Sequence, residues 1–407
     1  MKKRLIVIGG GAAGFFCAVN AARLNADLEV IILEKTNKIL SKVKVSGGGR
    51  CNVTHACYDL AEMVKGYPRG SRFLNKAFRQ FFTTDTIRWF EERGVALKTE
   101  EDGRMFPLTD SSQTIINCLI TEVNRYGVQI MMNADVKQII PGVDKFSVLV
   151  SGSPLLTADY ICVASGGYPR KPMFEWLSTL GHSVEEPVPS LFTLNMPGNS
   201  IVALMGISVE HVVARIAGTS LQQAGPLLIT HWGMSGPVIL KLSAWGAREL
   251  ATARYECVVI INWVPLFNEN SLREEMQQIR FRIAGQKLAN KNPFHLPQRL
   301  WEYLLEESGI STDLRWADLP GKEQNMLIKN LCVKEFTVKG KTTFKEEFVT
   351  SGGINLGEVD NNTLMSKVVP GLFFAGEVLN VDGITGGYNF QHAWTSGYIA
   401  AKSIAGL

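Results

Sequence analysis

A strand, a glycine-rich turn, a helix and a second strand follow one another within the first 34 residues, and this order limits the folds open to the chain. Residues 4–8 are apolar and rich in β-branched side chains, as in a buried parallel strand. A helix is predicted over residues 12–24 and a second strand over residues 28–33. The turn has the spacing G-x-G-x-x-G and consists of Gly9, Gly10, Gly11, Ala12, Ala13 and Gly14. The pattern predicts the first βαβ unit of a dinucleotide-binding α/β fold.

Each position of this motif has a physical role in holding a dinucleotide. Gly9 permits the tight turn, Gly11 lets a pyrophosphate approach the backbone, and Gly14 lets the helix pack closely on the strand. The start of the helix offers free N–H groups and a partial positive charge. Glu34 follows Gly14 by twenty residues, so its carboxylate is predicted to accept hydrogen bonds from the adenosine ribose hydroxyls.

Two further glycine-rich turns follow apolar strands elsewhere in the chain. The apolar run 160–163 leads into the first of them, and a strand ending at Gly376 leads into the second. After more glycines, a helix is predicted from about His392 to Ile404. Three such segments converging on one nucleotide are the layout of flavoproteins with two dinucleotide-binding folds, because each turn aims backbone N–H groups at a ligand.

Six longer stretches resemble one flavoprotein family closely. They are "GGGAAG", "KVSGGGRCNVT", "GRMFP", "THWGMSGP", "TSGGI" and "PGLFFAGEVLNVDGITGGYNFQHAW". On these motifs the chain resembles, over essentially its whole length, the BaiN/YhiN-like flavoproteins, which are NAD(P)/FAD-dependent oxidoreductases or aminoacetone oxidase-like proteins. The chain departs from the family's usual pattern at Asn380, where Asp is common, so any role of that acid toward the flavin is weakened or altered here.

The resemblance implies an α/β fold of the two-dinucleotide-binding type, Rossmann-like, with FAD as the cofactor. It places the adenosine half of FAD on the first glycine turn and Glu34, and the flavin half near Gly376 and residues 386–391. Beyond the first turn, the residues implied to contact FAD are Glu34, Lys35, Ser46, Gly48, Gly49, Arg50, Cys51, Asn52, Val136, Ala164, Ser165, Gly166, Gly376, Glu377, Gly386, Gly387, Tyr388, Asn389 and Phe390.

The stretch "SGGGRCN", residues 46–52, exposes backbone that favours neither a helix nor a strand. Under the resemblance, this bare backbone would lie beside the isoalloxazine and the pyrophosphate, with Arg50 adding positive charge and Asn52 adding hydrogen bonds. A surface salt bridge is the alternative role for Arg50. Cys51 is interpreted as a packed thiol, because no resolving cysteine lies two or three residues away.

The middle of the chain is predicted to be an insertion into the FAD-binding domain. That domain is predicted to comprise residues 1–188 and 351–407. A β-barrel-like domain is predicted over 189–265 and 333–350, and a helical subdomain over 266–332. Short alternating runs between prolines indicate the strands, and apolar spacing near 3.6 residues indicates the helices.

Two hairpins are predicted within the FAD-binding domain. One lies in residues 128–150, where the resemblance places the backbone of Val136 against adenine. The other turns at Asp102-Gly103, with its return strand starting at Arg104.

His231 and Tyr388 are the candidate catalytic residues. His231 lies in "THWGMSGP", and an imidazole is the natural acid or base near neutral pH. The "GMSGP" part is no nucleophile elbow, because Pro237 stands where that motif needs glycine. A structural role remains open for both candidates and for His392. Core or interface positions are predicted for Trp232, Trp263 and Trp394.

Composition argues against several classes of protein. The 407 residues are 46% hydrophobic and 20% charged, which fits a globular protein with a full core. The net charge of +4 is mild and scattered, so it argues little for a nucleic-acid partner. No apolar run approaches ~18 residues, so no membrane span is expected. The apolar run after Arg4 stops at Gly9 and is too short for a signal peptide. The seven cysteines form no C-x-x-C, so neither a disulfide framework nor a metal site is predicted, and a cytoplasmic location is expected.

The favoured function is an FAD-dependent oxidoreductase that transfers hydride through flavin N5, in NAD(P)H-linked reduction of a small or hydrophobic, enone- or steroid-like substrate. Only one complete G-x-G-x-x-G with a following acid occurs, which leaves NAD(P)H as a transient donor. The alternatives are an oxygen-using amine or alcohol oxidase, a flavin-dependent RNA-modifying or RNA-binding protein, and a non-catalytic FAD protein. A small-molecule partner is expected, with no nucleic acid and no membrane, and the oligomeric state is open.

Overall fold

The computed structural model of the chain describes residues 2–342 and 349–407. Met1 and positions 343–348 of the predicted segment 333–350 lie outside the described residues. The strands are β1 (Lys3–Ile8), β2 (Leu28–Leu33), β3 (Thr54–His55), β4 (Leu97–Thr99), β5 (Arg104–Pro107), β6 (Gln129–Met131), β7 (Val136–Pro141), β8 (Phe146–Val150), β9 (Leu156–Ala158), β10 (Tyr160–Val163), β11 (Val184–Ser190), β12 (Thr193–Asn195), β13 (Ser208–Ile216), β14 (Gln222–Thr230), β15 (Gly233–Ser235), β16 (Glu256–Asn262), β17 (Lys334–Lys339), β18 (Lys341–Thr342), β19 (Val349–Ile354) and β20 (Leu372–Phe374). The helices are α1 (Ala12–Leu24), α2 (Ser41–Gly49), α3 (Leu60–Val64), α4 (Ser71–Ala77), α5 (Thr83–Glu91), α6 (Ser112–Arg125), α7 (Glu175–Ser178), α8 (Pro237–Trp245), α9 (Ala247–Thr252), α10 (Glu269–Arg282), α11 (Gln298–Glu306), α12 (Gly321–Cys332) and α13 (Tyr388–Ile404). Short 3-10 helices span Lys171–Phe174, Ser200–Leu204, Trp316–Asp318, Leu356–Glu358 and Gly376–Val378.

The chain divides into two compact units. The first comprises residues 1–190 and 344–407, and the second comprises residues 191–343. Among the helices that the structure describes, none combines the length and apolar character needed to cross a membrane.

The first unit is built on a five-stranded parallel sheet with the order β20-β10-β1-β2-β6. The residues of β1, β2 and β10 are mostly buried and apolar, as strands covered on both faces require. Because the five strands run in one direction, their carboxyl ends lie on one edge of the sheet. The turns after β1, β10 and β20 therefore meet at that edge.

Helices α1 and α13 pack against each other within this unit. A Cβ added to Gly397 of α13 would lie 2.7 Å from the carbonyl oxygen of Ala13, so the glycine permits the close approach. The rings of Phe16 and Trp394 lie 5.2 Å apart between the two helices. The last helix of the chain is thereby fastened to the first βαβ unit.

The predicted bounds of α1 and β2 are confirmed, and the hairpin at Asp102-Gly103 forms between β4 and β5. Two other predictions were wrong in detail. The predicted hairpin over 128–150 consists of β7 and β8 only, because β6 pairs with β2 at the edge of the parallel sheet. Helix α13 begins at Tyr388 rather than at His392, directly after Gly387, whose φ of 95° ends the preceding turn.

The second unit combines a seven-stranded antiparallel sheet with helices α8 to α12. The strand order is β17-β16-β13-β14-β15-β12-β18. Trp263 next to β16, Trp301 of α11 and Trp316 are fully buried in one core to which strands and helices both contribute. The predicted separation into a β-barrel-like domain and a helical subdomain stays a prediction.

Candidate cofactor site

The glycine turn after β1 is packed as tightly as its motif predicts. Gly9 has a φ of 116°, and a Cβ there would lie 2.3 Å from the carbonyl oxygen of Ala164. A Cβ on Gly14 would lie 2.0 Å from the carbonyl oxygen of Gly9. Contacts this short exclude any side chain at either position. The two glycines therefore join α1 and the turn after β10 to the end of β1.

Four other glycines of the predicted site present backbone to open space. A Cβ on any of them would meet no described atom within 4 Å, and they are Gly11, Gly48, Gly49 and Gly166. Gly11 caps α1, where no side chain of the described residues caps the helix and no acidic residue lies in the first turn. The first N–H groups of α1 have no intrahelical acceptor, so they can hold an anionic ligand such as a phosphate.

Glu34 holds the first turn through hydrogen bonds of its own. Its Oε2 accepts from the backbone N–H of Gly10 at 2.9 Å. Its Oε1 accepts from the N–H and the hydroxyl of Thr36, both at 2.8 Å. Because a carboxylate offers about four acceptor positions, capacity remains for ribose hydroxyls. The predicted ribose contact stays a prediction.

The turn after β20 lies against the first turn. Gly376 has a φ of 74°, and a Cβ there would lie 2.8 Å from the Cβ of Ala13. Glu377 accepts from the N–H of Thr350 at 2.8 Å and pairs with Lys42 of α2 at 2.6 Å. The structure thus brings together the glycine-rich segments that the sequence predicts to converge.

Residues 46–49 leave the helical path of α2. Ser46 has an extended ψ of 148°, and Gly47, Gly48 and Gly49 have left-handed φ values of 58°, 69° and 86°. The amide nitrogen of Asn52 donates to backbone carbonyl groups of β3 and β5, and its oxygen accepts from the N–H of Gly387 at 3.0 Å. Asn52 therefore ties this turn to the start of α13.

Arg50 forms the salt bridge that was the alternative to its predicted role, and Cys51 is buried as the packed thiol that the sequence analysis favoured. The guanidinium of Arg50 lies 2.6 Å from Glu100 and 3.6 Å from Asp110, and it lies over the ring of Phe106 at 4.0 Å. Burial raises the pKa of the Cys51 thiol to about 12, so this cysteine stays protonated and unreactive at neutral pH. Their predicted contacts with FAD stay predictions.

Tyr388 is clamped at the start of α13. Its ring stacks on His55 at 4.9 Å, and a Cβ on Gly66 would lie only 2.1 Å from that ring. The carbonyl oxygen of Tyr388 accepts from the Tyr67 hydroxyl at 2.6 Å. Burial raises the pKa of Tyr388 to about 12, so its phenol is a weaker acid than that of an exposed tyrosine and is protonated at neutral pH. Its O–H is therefore a rigidly held hydrogen-bond donor.

Asp382 and Arg69 form a buried ion pair that the sequence analysis missed. Asp382 is fully buried and accepts from both Nε and Nη2 of Arg69, with 2.6 Å to Nε, and from the hydroxyl of Ser190 at 2.9 Å. Burial raises the pKa of Asp382, and the Arg69 guanidinium opposes this rise. The one sign in the sequence is that Asp382 is the only acidic residue between 378 and 407.

His392 is a buried, neutral histidine next to the turn after β20. Its Nε2 lies 3.1 Å from the carbonyl oxygen of Gly376. Burial lowers its pKa from 6.5 to about 4, although the Gly376 carbonyl and Glu377 oppose this effect. Between pH 6.5 and about pH 4, His392 is therefore protonated in the unfolded chain but neutral in the folded chain. The stability contributed by the neutral imidazole is lost as the pH falls from 6.5 toward 4.

From this group we expect the free energy of unfolding to fall by about 3 kcal/mol between pH 7 and pH 4. Urea unfolding of the purified protein across this range measures the effect. His392→Gln should flatten the curve, whereas His211→Gln, at an exposed histidine, should leave it unchanged. Parallel curves for the wild type and His392→Gln would contradict the assignment.

The remaining predicted residues have varied surroundings. Lys35 is exposed, and Val136 begins β7 opposite Val150. The side chain of Asn389 bonds both backbone groups of Gly383, at 2.8 and 3.0 Å. The hydroxyl of Ser46 donates to the carbonyl of Val43 at 3.0 Å, Ser165 follows β10, and Phe390 stacks on Trp394 at 5.8 Å.

His231 lies in the second unit, between β14 and β15. Its side chain is exposed, and its ring centroid lies 3.7 Å from that of Trp232. A catalytic role for His231 stays a prediction.

The arrangement fits FAD. The glycine-rich turns and the start of α1 lie at one edge of the parallel sheet. Their exposed N–H groups can accommodate a pyrophosphate. Thr350 and Ser351 are fully buried next to this edge, and their hydroxyl oxygens have no hydrogen-bond partner among the described residues. A polar ligand would satisfy such hydroxyls, since buried polar groups are rarely left unpaired.

Comparison with known proteins finds a family model and curated relatives that each match nearly the whole chain. Residues 3–403 match the family described as "HI0933-like protein Rossmann domain". The chain is 31% identical, over 98% of both chains, to a ribosomal RNA dihydrouridine synthase of Haemophilus influenzae. It is 28% identical, over 99% of both chains, to a 3-dehydro-bile acid delta(4,6)-reductase of Clostridium scindens.

One solved structure shows the same fold at low identity. It is a 3-ketosteroid-delta4-(5alpha)-dehydrogenase from Rhodococcus jostii RHA1, with a TM-score of 0.52 and 14% identity over 99% of this chain and 97% of that chain. The predicted Rossmann-like α/β fold is confirmed.

Proposed function

Because the chain belongs to the HI0933-like family of FAD-dependent oxidoreductases, we propose that it reduces a carbon–carbon double bond conjugated to a carbonyl group. The observation that carries this proposal is shared by its full-length relatives. A 3-dehydro-bile acid delta(4,6)-reductase and a ribosomal RNA dihydrouridine synthase both saturate a ring double bond conjugated to a carbonyl. The substrates differ greatly in size, but the bond that is reduced has the same chemistry.

The reaction requires a hydride at the β-carbon and a proton at the α-carbon. FAD, when bound, supplies the hydride chemistry. The glycine backbone and the start of α1 hold the cofactor, and Glu34 receives its ribose. NAD(P)H is the proposed transient electron donor.

Tyr388 is the proposed source of the proton. Its phenol carries a proton at neutral pH, as any tyrosine does, although burial raises its pKa to about 12 and weakens it as an acid. Its ring is held between His55 and Gly66. The side chain therefore loses little further conformational entropy when substrate binds. Tyr388 also begins α13 directly after Gly386 and Gly387, which are predicted to lie at the flavin half of FAD.

We expect Tyr388→Phe to slow substrate reduction by about 10²–10⁴-fold, as is typical when a general acid is removed. Reduction of the flavin by NAD(P)H should keep its wild-type rate, because that step needs no proton from Tyr388. Stopped-flow spectroscopy of the two half-reactions separates these effects. Tyr58→Phe, at a tyrosine that is 60% exposed, is the matched control. A wild-type rate of substrate reduction in Tyr388→Phe would exclude this role.

We propose a uridine base of ribosomal RNA as the substrate, since two full-length relatives, at 31% and 30% identity, are ribosomal RNA dihydrouridine synthases of Haemophilus influenzae and Escherichia coli. The expectation of no nucleic-acid partner is accordingly not retained. A 3-oxo steroid is the second candidate substrate. Reduction of such a steroid is the enone reduction expected from the sequence.

The test begins with the spectrum of the purified protein and anaerobic addition of NADH or NADPH. Bleaching of the visible flavin band would support a reductase. The reduced protein is then mixed with unmodified ribosomal RNA or with a 3-oxo-4,6-diene steroid. Dihydrouridine in the nucleoside digest, or the saturated steroid, identifies the substrate by mass spectrometry. Bleaching by amines or alcohols instead, with peroxide formed in air, would favour the oxidase alternative and overturn the proposal.

A further inference from the structure

Helix α4 and the turn after it carry three exposed basic side chains on one face. They form the basic stripe, which consists of Arg72, Lys76 and Arg79. The spacing of four and three residues places them within roughly 60° of arc around the helix. The turn continues the helical path beyond α4, because the N–H of Arg79 bonds the carbonyl of Lys76 at 3.2 Å. The opposite face is buried and apolar, with Phe73, Leu74, Ala77 and Phe78.

Among the described residues, no acidic side chain neutralises the positive charge of the stripe. No acidic residue occurs between positions 63 and 84. Two other basic residues of this segment are paired, Lys65 with Glu62 and Arg69 with Asp382. In the part of the chain that the structure describes, the stripe side chains make no ion pair or hydrogen bond. Like charges three and four residues apart repel each other weakly, so a negatively charged ligand next to the stripe would be stabilising.

Helix α4, which carries the stripe, packs against α13, which begins at the candidate catalytic Tyr388. The segment directly before α4 packs on the loop that leads into α13: Gly66 contacts the ring of Tyr388, and Arg69 pairs with Asp382. Arg72 follows Arg69 by three residues, so their Cα atoms are at most about 11 Å apart. A polyanion whose reactive group sits at Tyr388 would therefore pass within reach of the stripe.

We propose that the basic stripe binds phosphate groups of the RNA strand next to the uridine that this protein reduces. The inference rests on the proposed function. An enzyme acting on a base takes that base out of the stack, which leaves the neighbouring phosphates at the rim of the site. Each phosphate neutralised by Lys or Arg releases counterions and makes binding dependent on salt. A steroid substrate has no phosphates for the stripe to contact.

The test compares two triple variants with equal change in charge. The first is Arg72→Gln, Lys76→Gln and Arg79→Gln. The control is Arg273→Gln, Lys322→Gln and Lys329→Gln, which removes three exposed basic residues from the second unit. Binding of a fluorescent single-stranded ribosomal RNA fragment is measured by anisotropy between about 50 and 300 mM salt. Flavin content and melting temperature establish that both variants are folded.

We expect the stripe variant to lower the slope of log K against log salt by about 2, since each single-strand phosphate contact contributes about 0.7. Its affinity at low salt should fall by at least about tenfold, and the control should bind like the wild type. An unchanged slope in the stripe variant, or an equal loss in the control, would overturn the proposal. If the wild type produces no dihydrouridine but reduces the steroid, the RNA substrate itself is wrong. If the wild type produces dihydrouridine and the stripe variant binds normally, only the role of the stripe is wrong.

Discussion

Replacing Gly11 with valine is expected to leave the apoprotein folded and to lower its FAD affinity by at least about 100-fold, or about 2.7 kcal/mol. Gly11 has an extended conformation, with φ of −95° and ψ of −171°, which any residue adopts. A Cβ there meets no described atom within 4 Å, so the protein itself accommodates the side chain. The added methyl groups would occupy the space where the pyrophosphate approaches the backbone. Flavin content after purification and fluorescence titration with FAD measure the loss.

Gly14→Ala is the matched contrast. It adds only one carbon, but that carbon would lie 2.0 Å from the carbonyl oxygen of Gly9, so α1 must move away from β1. We expect a loss of several kcal/mol in the free energy of unfolding, seen as a lower melting temperature of the apoprotein. For Gly11→Val the apoprotein should melt within a few degrees of the wild type, because a poorer N-cap costs roughly 1 kcal/mol. Wild-type flavin content in Gly11→Val would mean that this turn does not hold the pyrophosphate.

Asp382→Ala is expected to lower the free energy of unfolding by about 3–5 kcal/mol, as is typical when one partner of a buried ion pair is removed. The substitution leaves the guanidinium of Arg69 without its carboxylate in a site where its side chain is only 14% exposed. It also removes the acceptor of the Ser190 hydroxyl. Urea unfolding at neutral pH, monitored by tryptophan fluorescence, gives the change.

Two further variants test whether the loss of stability comes from leaving a buried charge unpaired. Arg69→Met combined with Asp382→Leu should recover most of the lost stability, because an apolar pair needs no desolvation of charge. Lys65→Ala breaks the exposed pair with Glu62, whose side chains are 68% and 62% exposed, and should cost no more than about 1 kcal/mol. A cost for Asp382→Ala as small as that of Lys65→Ala would show that the buried pair does not stabilise the fold.

The first βαβ unit could be predicted from the sequence nearly residue by residue. Its strand and helix signals lie within one short segment, and Gly14 contacts the carbonyl oxygen of Gly9 in the same turn, whereas the contact of Gly9 with Ala164 depends on the neighbouring strand β10. The ends of α13 and the pairing of β6 were less predictable. A glycine such as Gly387 can end a turn or begin a helix, and a three-residue strand acquires its partner only when the sheet assembles.

The roles of individual polar residues depended on partners that lie far away in the chain. Arg50 has a salt bridge to Glu100, fifty residues away, and the ion pair of Arg69 and Asp382 spans 313 residues. The stacking of Tyr388 on His55 is equally remote in sequence. No periodicity or motif encodes such pairs, because each side chain could meet many others before the fold is complete.

The sequence by itself determined the dinucleotide-binding α/β fold and its glycine turns, since these depend on local conformation and on the absence of side chains. Only the tertiary structure decided which polar groups are buried together, which phenol is held rigid, and which basic residues have no acidic partner among the described residues. Burial and pairing are properties of the assembled chain, because they arise from the close packing of segments that are hundreds of residues apart.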